Sequence, residues 1–345
     1  MARRNQMAGG LDRVGLTPLA LRMLGQSWWP WPRVTVLLYH RVIDPADIGE
    51  LDPNLVDATP AEFDAQMEIL ARYFTPVGID QIIEARHGGS LPANAAIVTF
   101  DDGYRDNYQN AVPILKKHGM NAVFFVTTDY VSERRLFWWE IIRVVVRRSS
   151  KREITLGYPF PCAFPVTDES EREEAIKKII RIVKTSYAMD LPRFMEELYR
   201  GSGVSWSRKD DQDEADRSIL TWQDVRAMRE AGMDVQSHTR THRVLGTLPS
   251  EAFDNELAGS KRELEAQIDA PVRTIAYPVG KSIATEPRIR DALAKAGYEL
   301  GFTSSPGLVR LNGSEDFLDL KRIPIDRGIS PALFRGSLAL PWLAG

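Results

Sequence analysis

The sequence predicts an α/β fold in which parallel strands form a sheet or a barrel. Short apolar segments of strand length alternate with segments of helical pattern along most of the chain. Several of the apolar segments end in polar or charged residues, as is typical where the carboxyl ends of parallel strands surround a site. The chain has 345 residues, of which 43% are hydrophobic, so it is long enough for one barrel-sized domain with an insertion.

The first predicted elements are a strand and a capped helix. Val34–Tyr39 is an apolar, β-rich run of strand length. A helix is expected at residues 60–73, because Thr59 and Glu62 have the spacing of a capping box and Pro60 occupies the first helical position.

The alternation of strands and helices continues into the C-terminal part of the chain. Glycines mark the ends of several helices, since glycine commonly follows the last helical turn. The predicted strands lie at residues 96–100, 122–126, 233–237, 274–276 and 300–303. One predicted helix ends at His118, and the others cover residues 221–232, 250–268 and 286–296.

Some parts of the chain do not follow this alternation. Residues 1–33 are taken as an N-terminal extension ahead of a main domain at residues 34–345. Residues 133–219 are expected to be an insertion of two or three helices followed by a stretch, 205–218, that is too charged to form core. A cluster of tryptophan and proline at residues 28–32 could contact the body of the protein or a membrane.

The insertion begins with an apolar segment, residues 134–148, that has basic residues at both ends. In a helix, Phe137, Ile141 and Val145 would share one face with Ile142 beside them. This pattern favours a helix that packs against the barrel. The alternative is an element on a membrane surface that helps to present a polyprenyl-linked sugar.

Composition excludes several classes of partner and site. The chain has 44 Lys and Arg against 47 Asp and Glu, so we expect no nucleic-acid partner and no bulk attraction to anionic lipid. The single cysteine, Cys162, rules out an internal disulfide and a cysteine metal site. No apolar run reaches the roughly 20 residues of a membrane-spanning helix, and no signal peptide is evident. We therefore expect a cytoplasmic location, with association to the membrane surface left open.

The strongest local signal is a pair of carboxylates, Asp101 and Asp102, at the end of the strand predicted at residues 96–100. Neighbouring side chains in a strand point to opposite faces, so both can serve one site only where the strand breaks. Gly103 permits such a break. The alternative is an Asp-Gly turn with a purely structural role.

The second signal is a pair of histidines, His238 and His242, directly after the strand predicted at residues 233–237. A spacing of four places two imidazoles on one face of a helical turn, where both can bind one metal ion. Taken alone, such a pair is as compatible with two structural histidines as with two metal ligands. Zinc proteases carry a glutamate after the first histidine, and Thr239 in that place argues against a protease.

Together the two signals resemble a known family. Thr99–Gly103 followed by Ser237–His242 is similar to the first two motifs of the polysaccharide deacetylase family, also called the NodB-homology family or carbohydrate esterase family 4. The resemblance implies a distorted (β/α) barrel with a helical insertion and a hydrolase that removes N-acetyl groups from amino sugars of a polysaccharide or glycolipid. It implies Asp101 as catalytic base. It also implies a divalent metal, Zn²⁺ first and Co²⁺, Ni²⁺ or Mn²⁺ as alternatives, held by Asp102, His238 and His242.

Two further motifs of the family are matched loosely. The tripeptide that ends at Pro278 stands where the family has a motif with an arginine, and the resemblance implies that the Tyr277 N–H stabilises the oxyanion beside the substrate. This chain has no arginine in that motif, so another group must orient Asp101. We predict that this group is Arg322. The tripeptide that ends at His40 resembles a motif found near the C-terminus in most members, as in a circularly permuted subgroup. This implies His40 as general acid, with a structural strand-end histidine as the alternative.

The chemistry of amide hydrolysis agrees with these roles, since it needs a polarised carbonyl, an activated water and a protonated amine. The predicted substrate is an amino-sugar glycan or a lipid-linked saccharide, and peripheral membrane contact is left open. Two alternatives remain. One is a deformylase or another hydrolase of non-peptide C–N bonds on a lipid-linked sugar, and the other is a catalytically silent carbohydrate-binding relative.

Overall fold

The structure, a computed structural model, describes residues 2–13, 15–24, 33–311 and 315–339. Within these ranges the strands are, in chain order, β1 (Arg33–Tyr39), β2 (Arg41–Val42), β3 (Val56–Ala58), β4 (Thr75–Pro76), β5 (Ala95–Phe100), β6 (Ala122–Val126), β7 (Glu153–Leu156), β8 (Cys162–Pro165), β9 (Asp234–Ser237), β10 (Thr274–Ala276), β11 (Leu300–Pro306), β12 (Val309–Arg310) and β13 (Leu320–Pro324). The α-helices are α1 (Ala2–Arg13), α2 (Leu16–Leu24), α3 (Pro60–Tyr73), α4 (Ile79–Arg86), α5 (Val112–Lys117), α6 (Thr128–Glu133), α7 (Trp138–Arg148), α8 (Glu169–Thr185), α9 (Leu191–Ser202), α10 (Arg208–Ser218), α11 (Trp222–Glu230), α12 (Ser260–Ile268), α13 (Pro287–Ala296) and α14 (Pro331–Ala339).

Seven parallel strands close into a barrel. Each strand is hydrogen-bonded to the next in the order β1, β13, β11, β10, β9, β6 and β5, and β5 pairs again with β1 to complete the ring. The short strand β4 pairs with the amino-terminal end of β5, and the short strand β12 pairs antiparallel with the amino-terminal end of β1. The predicted (β/α) barrel is confirmed, and its carboxyl-terminal end is the expected place for a site.

Side chains that alternate along the strands fill the barrel. Ile97 of β5, Phe125 of β6 and Phe302 of β11 belong to one buried cluster, and the ring centroids of the two phenylalanines are 5.5 Å apart. Their neighbours along the strands point outward and form a second, larger cluster with the helices. Strands that are buried on both faces are therefore apolar at consecutive positions, as the sequence shows.

Most predicted helices are present with small shifts at their ends. The helix α3 begins with the predicted capping box, because Thr59 Oγ1 accepts from the Glu62 N–H at 3.2 Å and the Glu62 carboxylate accepts from the Thr59 N–H at 2.8 Å. Two predicted helices begin irregularly, since π-turns at Asn107–Ala111 and Asp254–Gly259 precede α5 and α12. Turns of this kind are frequent at functional sites.

The insertion contains the helices α7 to α10 and an antiparallel hairpin of β7 and β8. It therefore has one helix more than expected, because most of the charged stretch at residues 205–218 forms α10. Ser207 caps this helix by accepting a hydrogen bond from the Asp210 N–H, and Ala215 is buried beneath it. The end cap and one apolar contact thus stabilise a helix whose other side chains are mostly polar.

The apolar segment at the start of the insertion is buried within the protein. In α7, Trp138 is 3% exposed, and Ile142 and Val145 are 0% exposed. The helix packs against α8 and α9. Its apolar side chains therefore have no face left for a bilayer. The alternative that this segment lies on a membrane surface is wrong, and the expected packing inside the fold is confirmed.

The N-terminal helices lie on the C-terminal helix. Both α1 and α2 pack against α14, and Asp12 accepts two hydrogen bonds from Arg335. The tryptophan and proline cluster at residues 28–32 lies outside the described residues. None of the helices in the described ranges combines the length and the apolar character that crossing a bilayer requires.

Candidate active site

Four strands of the barrel end in side chains that were singled out from the sequence. His40 follows β1, Asp101 follows β5, His238 follows β9 and Tyr277 follows β10. Because all of these strands are parallel, their carboxyl ends lie at the same end of the barrel. These four residues are separated by up to 237 positions in the chain, from His40 to Tyr277, but their strands end together in the fold.

The two carboxylates lie where β5 breaks. The N–H of Asp101 still donates to the Tyr39 carbonyl of β1 at 2.9 Å, whereas Asp102 has a φ of 77° and Gly103 a φ of 103°. A positive φ is costly for aspartate and easily adopted by glycine. Asp101 is 4% exposed and Asp102 is 3% exposed. The break thus brings two buried carboxylates to one end of the barrel, at the cost of local backbone strain.

Asp101 is held by Arg322 of β13. The arginine Nη1 and Nη2 donate to the two oxygens of the carboxylate, each at 2.7 Å, and the arginine is fully buried. Burial raises the pKa of the Asp101 carboxyl, but the charge and hydrogen bonds of Arg322, together with the nearby His238 and His40, more than offset this effect, so the pKa lies below its ordinary value. Asp101 is therefore an oriented, ionised carboxylate at neutral pH. The predicted contact between Arg322 and Asp101 is confirmed.

Asp102 faces the two histidines. Its Oδ1 lies 3.3 Å from Nε2 of His238 and 3.3 Å from Nε2 of His242. One nitrogen or oxygen atom from each of the three residues lies within 4.8 Å of the others, and all three residues are buried. Bonds of about 2.1 Å at tetrahedral angles would place ligand atoms about 3.4 Å apart. The spacing therefore fits a small divalent cation.

The orientation of the histidines also fits a cation. The Nδ1 of His238 lies 2.9 Å from the Ala276 carbonyl, which can only accept a hydrogen bond, so Nδ1 donates to it and Nε2 is the ring nitrogen that faces Asp102. Burial lowers the pKa of His242 to about 4, against the opposing effect of Asp102. A metal ion between the two imidazoles and Asp102 would supply the positive charge that a buried carboxylate favours beside it.

A glutamate fixes the loop that carries the histidines. The carboxylate of Glu256 accepts hydrogen bonds from the backbone N–H groups of Arg240 and Thr241, at 3.1 and 2.9 Å. In this loop Thr239 and His242 have positive φ values of 66° and 55°. The loop is thus not the simple helical turn that the spacing of four suggested. Glu256 lies in the π-turn before α12, and no sequence motif pointed to it.

Comparison with known families identifies the chain. The sequence model of the family described as polysaccharide deacetylase matches residues 88–157 and 200–301, which contain the cluster of Asp102 and the two histidines. The chain belongs to the polysaccharide deacetylase family. It is accordingly a hydrolase that acts on carbon-nitrogen bonds other than peptide bonds. The match leaves out residues 158–199, which lie in the insertion, and the part before residue 88, which includes β1.

Individual relatives agree with this assignment. The Bacillus subtilis protein YxkH, whose name assigns it provisionally to the polysaccharide deacetylases, is 22% identical over 304 residues, which are 88% of this chain and 75% of YxkH. The poly-beta-1,6-N-acetyl-D-glucosamine N-deacetylase of Escherichia coli K12 is 33% identical over 111 residues, which are 32% of this chain but 16% of that protein. The Streptococcus pyogenes deacetylase PplD, solved with acetate, has the same fold, with a TM-score of 0.56, 21% identity and coverage of 87% of this chain and 96% of that one.

In this family member His40 is paired with a carboxylate that sequence reasoning missed. The His40 Nδ1 lies 3.2 Å from Oδ2 of Asp57, which also accepts from the His40 N–H. The His40 side chain is 30% exposed. Burial lowers the pKa of His40, but Asp57, with smaller contributions from Asp102 and Asp101, raises it to about 9. Asp57 stands in β3 with no recognisable pattern around it, so only the fold reveals the pair.

The deacetylase does not use Tyr277 as predicted. Its N–H already donates to the Phe302 carbonyl at 3.0 Å, and its hydroxyl donates to the Leu318 carbonyl at 2.7 Å. The expectation that the Tyr277 N–H stabilises an oxyanion is therefore wrong, because the barrel continues its backbone pairing through this residue. Tyr277 and Pro278 do line a cavity of about 250 Å³ at this end of the barrel.

The insertion of the deacetylase reaches the metal-type cluster through an aromatic side chain. The ring of Trp139 in α7 lies 4.2 Å from the ring of His242, measured between centroids. Its Nε1 donates to the Tyr104 hydroxyl at 3.0 Å, and that hydroxyl donates to Glu140 at 2.7 Å. Trp139 is 7% exposed. The predicted core helix of the insertion therefore also forms one wall of the site.

Proposed function

We propose that the chain is a metal-dependent hydrolase that removes N-acetyl groups from amino sugars of a polysaccharide or glycolipid. The observation that supports this most directly is the buried cluster of Asp102, His238 and His242 beside a second carboxylate, Asp101, that is held separately by Arg322. We take residues 34–345 as the catalytic domain and residues 133–219 as its insertion.

The two carboxylates have separate roles in this proposal. Asp102 would hold a divalent cation together with the histidines, and Zn²⁺ fits the mixed nitrogen and oxygen ligands, with Co²⁺, Ni²⁺ and Mn²⁺ as alternatives. When bound, such a cation would polarise the amide carbonyl and lower the pKa of a bound water toward about 7. Asp101 stays outside the ligand set, so it can accept the proton of the attacking water. Arg322 keeps it ionised and correctly oriented.

His40 would provide the proton for the departing amine. An amine is a poor leaving group unless it is protonated, and a histidine acid contributes roughly 10²–10⁴-fold to such a step. The contact with Asp57 fixes the imidazole and favours its protonated form at neutral pH. His40 and Asp101 are close enough for their charges to interact, so acid and base would act on the same bond.

A substrate assay with two acyl groups tests the proposal. The protein is loaded with Zn²⁺ and given oligosaccharides of N-acetylated and N-formylated amino sugars, and released acetate, formate and free amine are measured. We expect acetate release that stops with a chelator and in the variant Asp101→Asn. Formate release alone would favour the deformylase alternative. Saccharide binding without release of either acid, at full metal occupancy, would favour the silent carbohydrate-binding alternative.

We further propose that the N-terminal helices contact a membrane surface. Among the described residues, Met7, Leu16, Leu19 and Met23 are large apolar side chains that are 42–54% exposed. Leu16, Leu19 and Met23 have helical spacing and share the outer face of α2. Arg13 and Arg22 are exposed nearby, while Asp12 is engaged by Arg335. An apolar face with exposed arginines beside it is complementary to a bilayer with anionic lipid.

A further inference from the structure

The insertion also places a lysine in a cavity beside the loop that follows His242. Lys184 lies near the end of α8 and lines, with Thr185, the cavity of about 250 Å³ that Tyr277 and Pro278 form. The loop after His242, residues 244–247, lines the same cavity. The cavity therefore lies between the insertion, the histidine loop and the end of β10. Its wall begins two residues after His242, at Val244.

Lys184 interacts electrostatically with the proposed metal centre. Burial lowers the pKa of Lys184, while Asp102 and Asp52 act in the opposite direction. Lys184 is only partly exposed, so water screens its charge less than that of a surface lysine.

Both carboxylates that attract Lys184 are engaged elsewhere. Asp52 lies 3.5 Å from the guanidinium of Arg143, and the proposed function assigns the charge of Asp102 to a cation. In the described part of the chain, the other charged residues that line the cavity are Lys281 and Glu286, whose charges balance each other. The Lys184 ammonium is thus left without a dedicated anion, although an unpaired charge in a partly buried position is costly.

We propose that Lys184 binds an anionic group of the substrate, a phosphate or a carboxylate, carried by the saccharide next to the amide that is cleaved. This inference rests on the proposed function and specifies its substrate class. A neutral amino-sugar polymer would gain nothing from Lys184, and its free-amine product would be repelled. A saccharide with an anionic substituent would neutralise the lysine on binding. Residues 158–199, which include Lys184, lie outside the segments that match the family.

The first test compares three oligosaccharides of N-acetylated amino sugars that differ only in a terminal hydroxyl, phosphate or carboxylate. We expect kcat/KM of the wild type to be at least about tenfold higher for an anionic form than for the neutral form, which is the scale of one hydrogen bond to a charged group. Lys184→Met should reduce this preference to within about twofold, and Lys184→Arg should keep most of it. Lys178→Met on the exposed side of α8 is the matched control.

The second test measures binding rather than turnover. Calorimetry with Zn²⁺-loaded protein made inactive by Asp101→Asn should show that the phosphate-bearing or the carboxylate-bearing oligosaccharide binds it at least about tenfold more tightly than it binds the same protein with Lys184→Met added. The form that shows the preference identifies the anionic group. Equal affinity for all three oligosaccharides, or an equal loss for charged and neutral forms in Lys184→Met, would overturn the inference. If the proposed function itself is wrong, no oligosaccharide, not even the neutral one, will release acetate. If only the role of Lys184 is wrong, acetate will be released without a preference for the anionic forms.

Discussion

Replacing Arg322 by methionine would remove the counter-charge of Asp101 inside the barrel. The arginine is fully buried. It donates two hydrogen bonds of 2.7 Å to the carboxylate and one of 2.8 Å to the Thr303 carbonyl. Removing one partner of a buried ion pair leaves the other charge uncompensated and costs about 3–5 kcal/mol. Total stabilities are typically about 5–15 kcal/mol. We therefore expect Arg322→Met to fold but to lose a large share of its stability.

The pH dependence of this loss has a defined sign. In the wild type the pKa of Asp101 is lowered, so its contribution to stability is present above the unfolded pKa of about 4 and is lost as the pH falls through the folded pKa. Without Arg322, burial would raise the pKa of Asp101 above its unfolded value. The folded variant would then bind a proton more tightly than the unfolded chain. The difference in the free energy of unfolding between the wild type and Arg322→Met should therefore become smaller as the pH falls from about 7.5 toward about 5.5.

Urea unfolding of metal-free protein at several pH values, followed by tryptophan fluorescence, measures both effects. The control is Arg335→Met, which removes a bidentate contact to Asp12 between partly exposed side chains on α14 and α1 and should cost about 1 kcal/mol or less. The double variant Asp101→Asn with Arg322→Met should recover part of the loss. A loss in Arg322→Met no larger than in the control, or one that grows as the pH falls, would refute the reasoning.

The other predictions concern the metal, the proposed acid and the membrane. His238→Ala should abolish stoichiometric Zn²⁺ binding in metal analysis after dialysis, while His118→Ala, which removes only a contact to Asp64, should keep it. Asp57→Asn should shift the alkaline limb of the pH-rate profile to lower pH, because it removes the carboxylate that raises the pKa of His40 to about 9. Leu19→Asp should reduce flotation of the protein with anionic vesicles.

Clear outcomes would contradict each of these predictions. Full Zn²⁺ occupancy in His238→Ala would remove the proposed metal centre. An unchanged alkaline limb in Asp57→Asn, with metal content intact, would show that His40 is not the group whose deprotonation ends activity. Wild-type protein that does not float even with anionic vesicles would contradict the membrane contact, and equal flotation of Leu19→Asp would show that α2 does not mediate it.

The barrel could be predicted because its determinants are local. Thr59 and Glu62 cap α3 with contacts three residues apart, and the apolar runs of β5 and β6 are typical of strands buried on both faces. The convergence of Asp102 with His238 could be inferred only by assuming that parallel strands end together. The resemblance to the family supported that assumption, whereas spacing alone left structural histidines as an equal alternative.

The parts that escaped prediction depend on contacts between distant segments. Asp57 is one aspartate among many in the sequence, and only the pairing of β2 and β3 brings it beside His40. Trp139 belongs to an apolar helix whose pattern predicts core, and nothing in that pattern shows that its ring meets His242. The Tyr277 N–H was assigned to the oxyanion without knowledge of the backbone bond to Phe302 that already engages it.

The charge arrangement of the site explains why two adjacent aspartates can both stay ionised in a buried place. Like charges so close would normally force one carboxyl to bind a proton. Here the turn at Asp102 directs the two side chains to different partners, Arg322 for Asp101 and the histidine pair for Asp102. One partner is a permanent cation that belongs to the fold, and the other is a group of residues that, in the proposed function, binds an added cation. Because Arg322 already neutralises the base, loss of the metal should leave Asp101 ionised and the barrel intact, so metal-free protein should fold but not hydrolyse the amide.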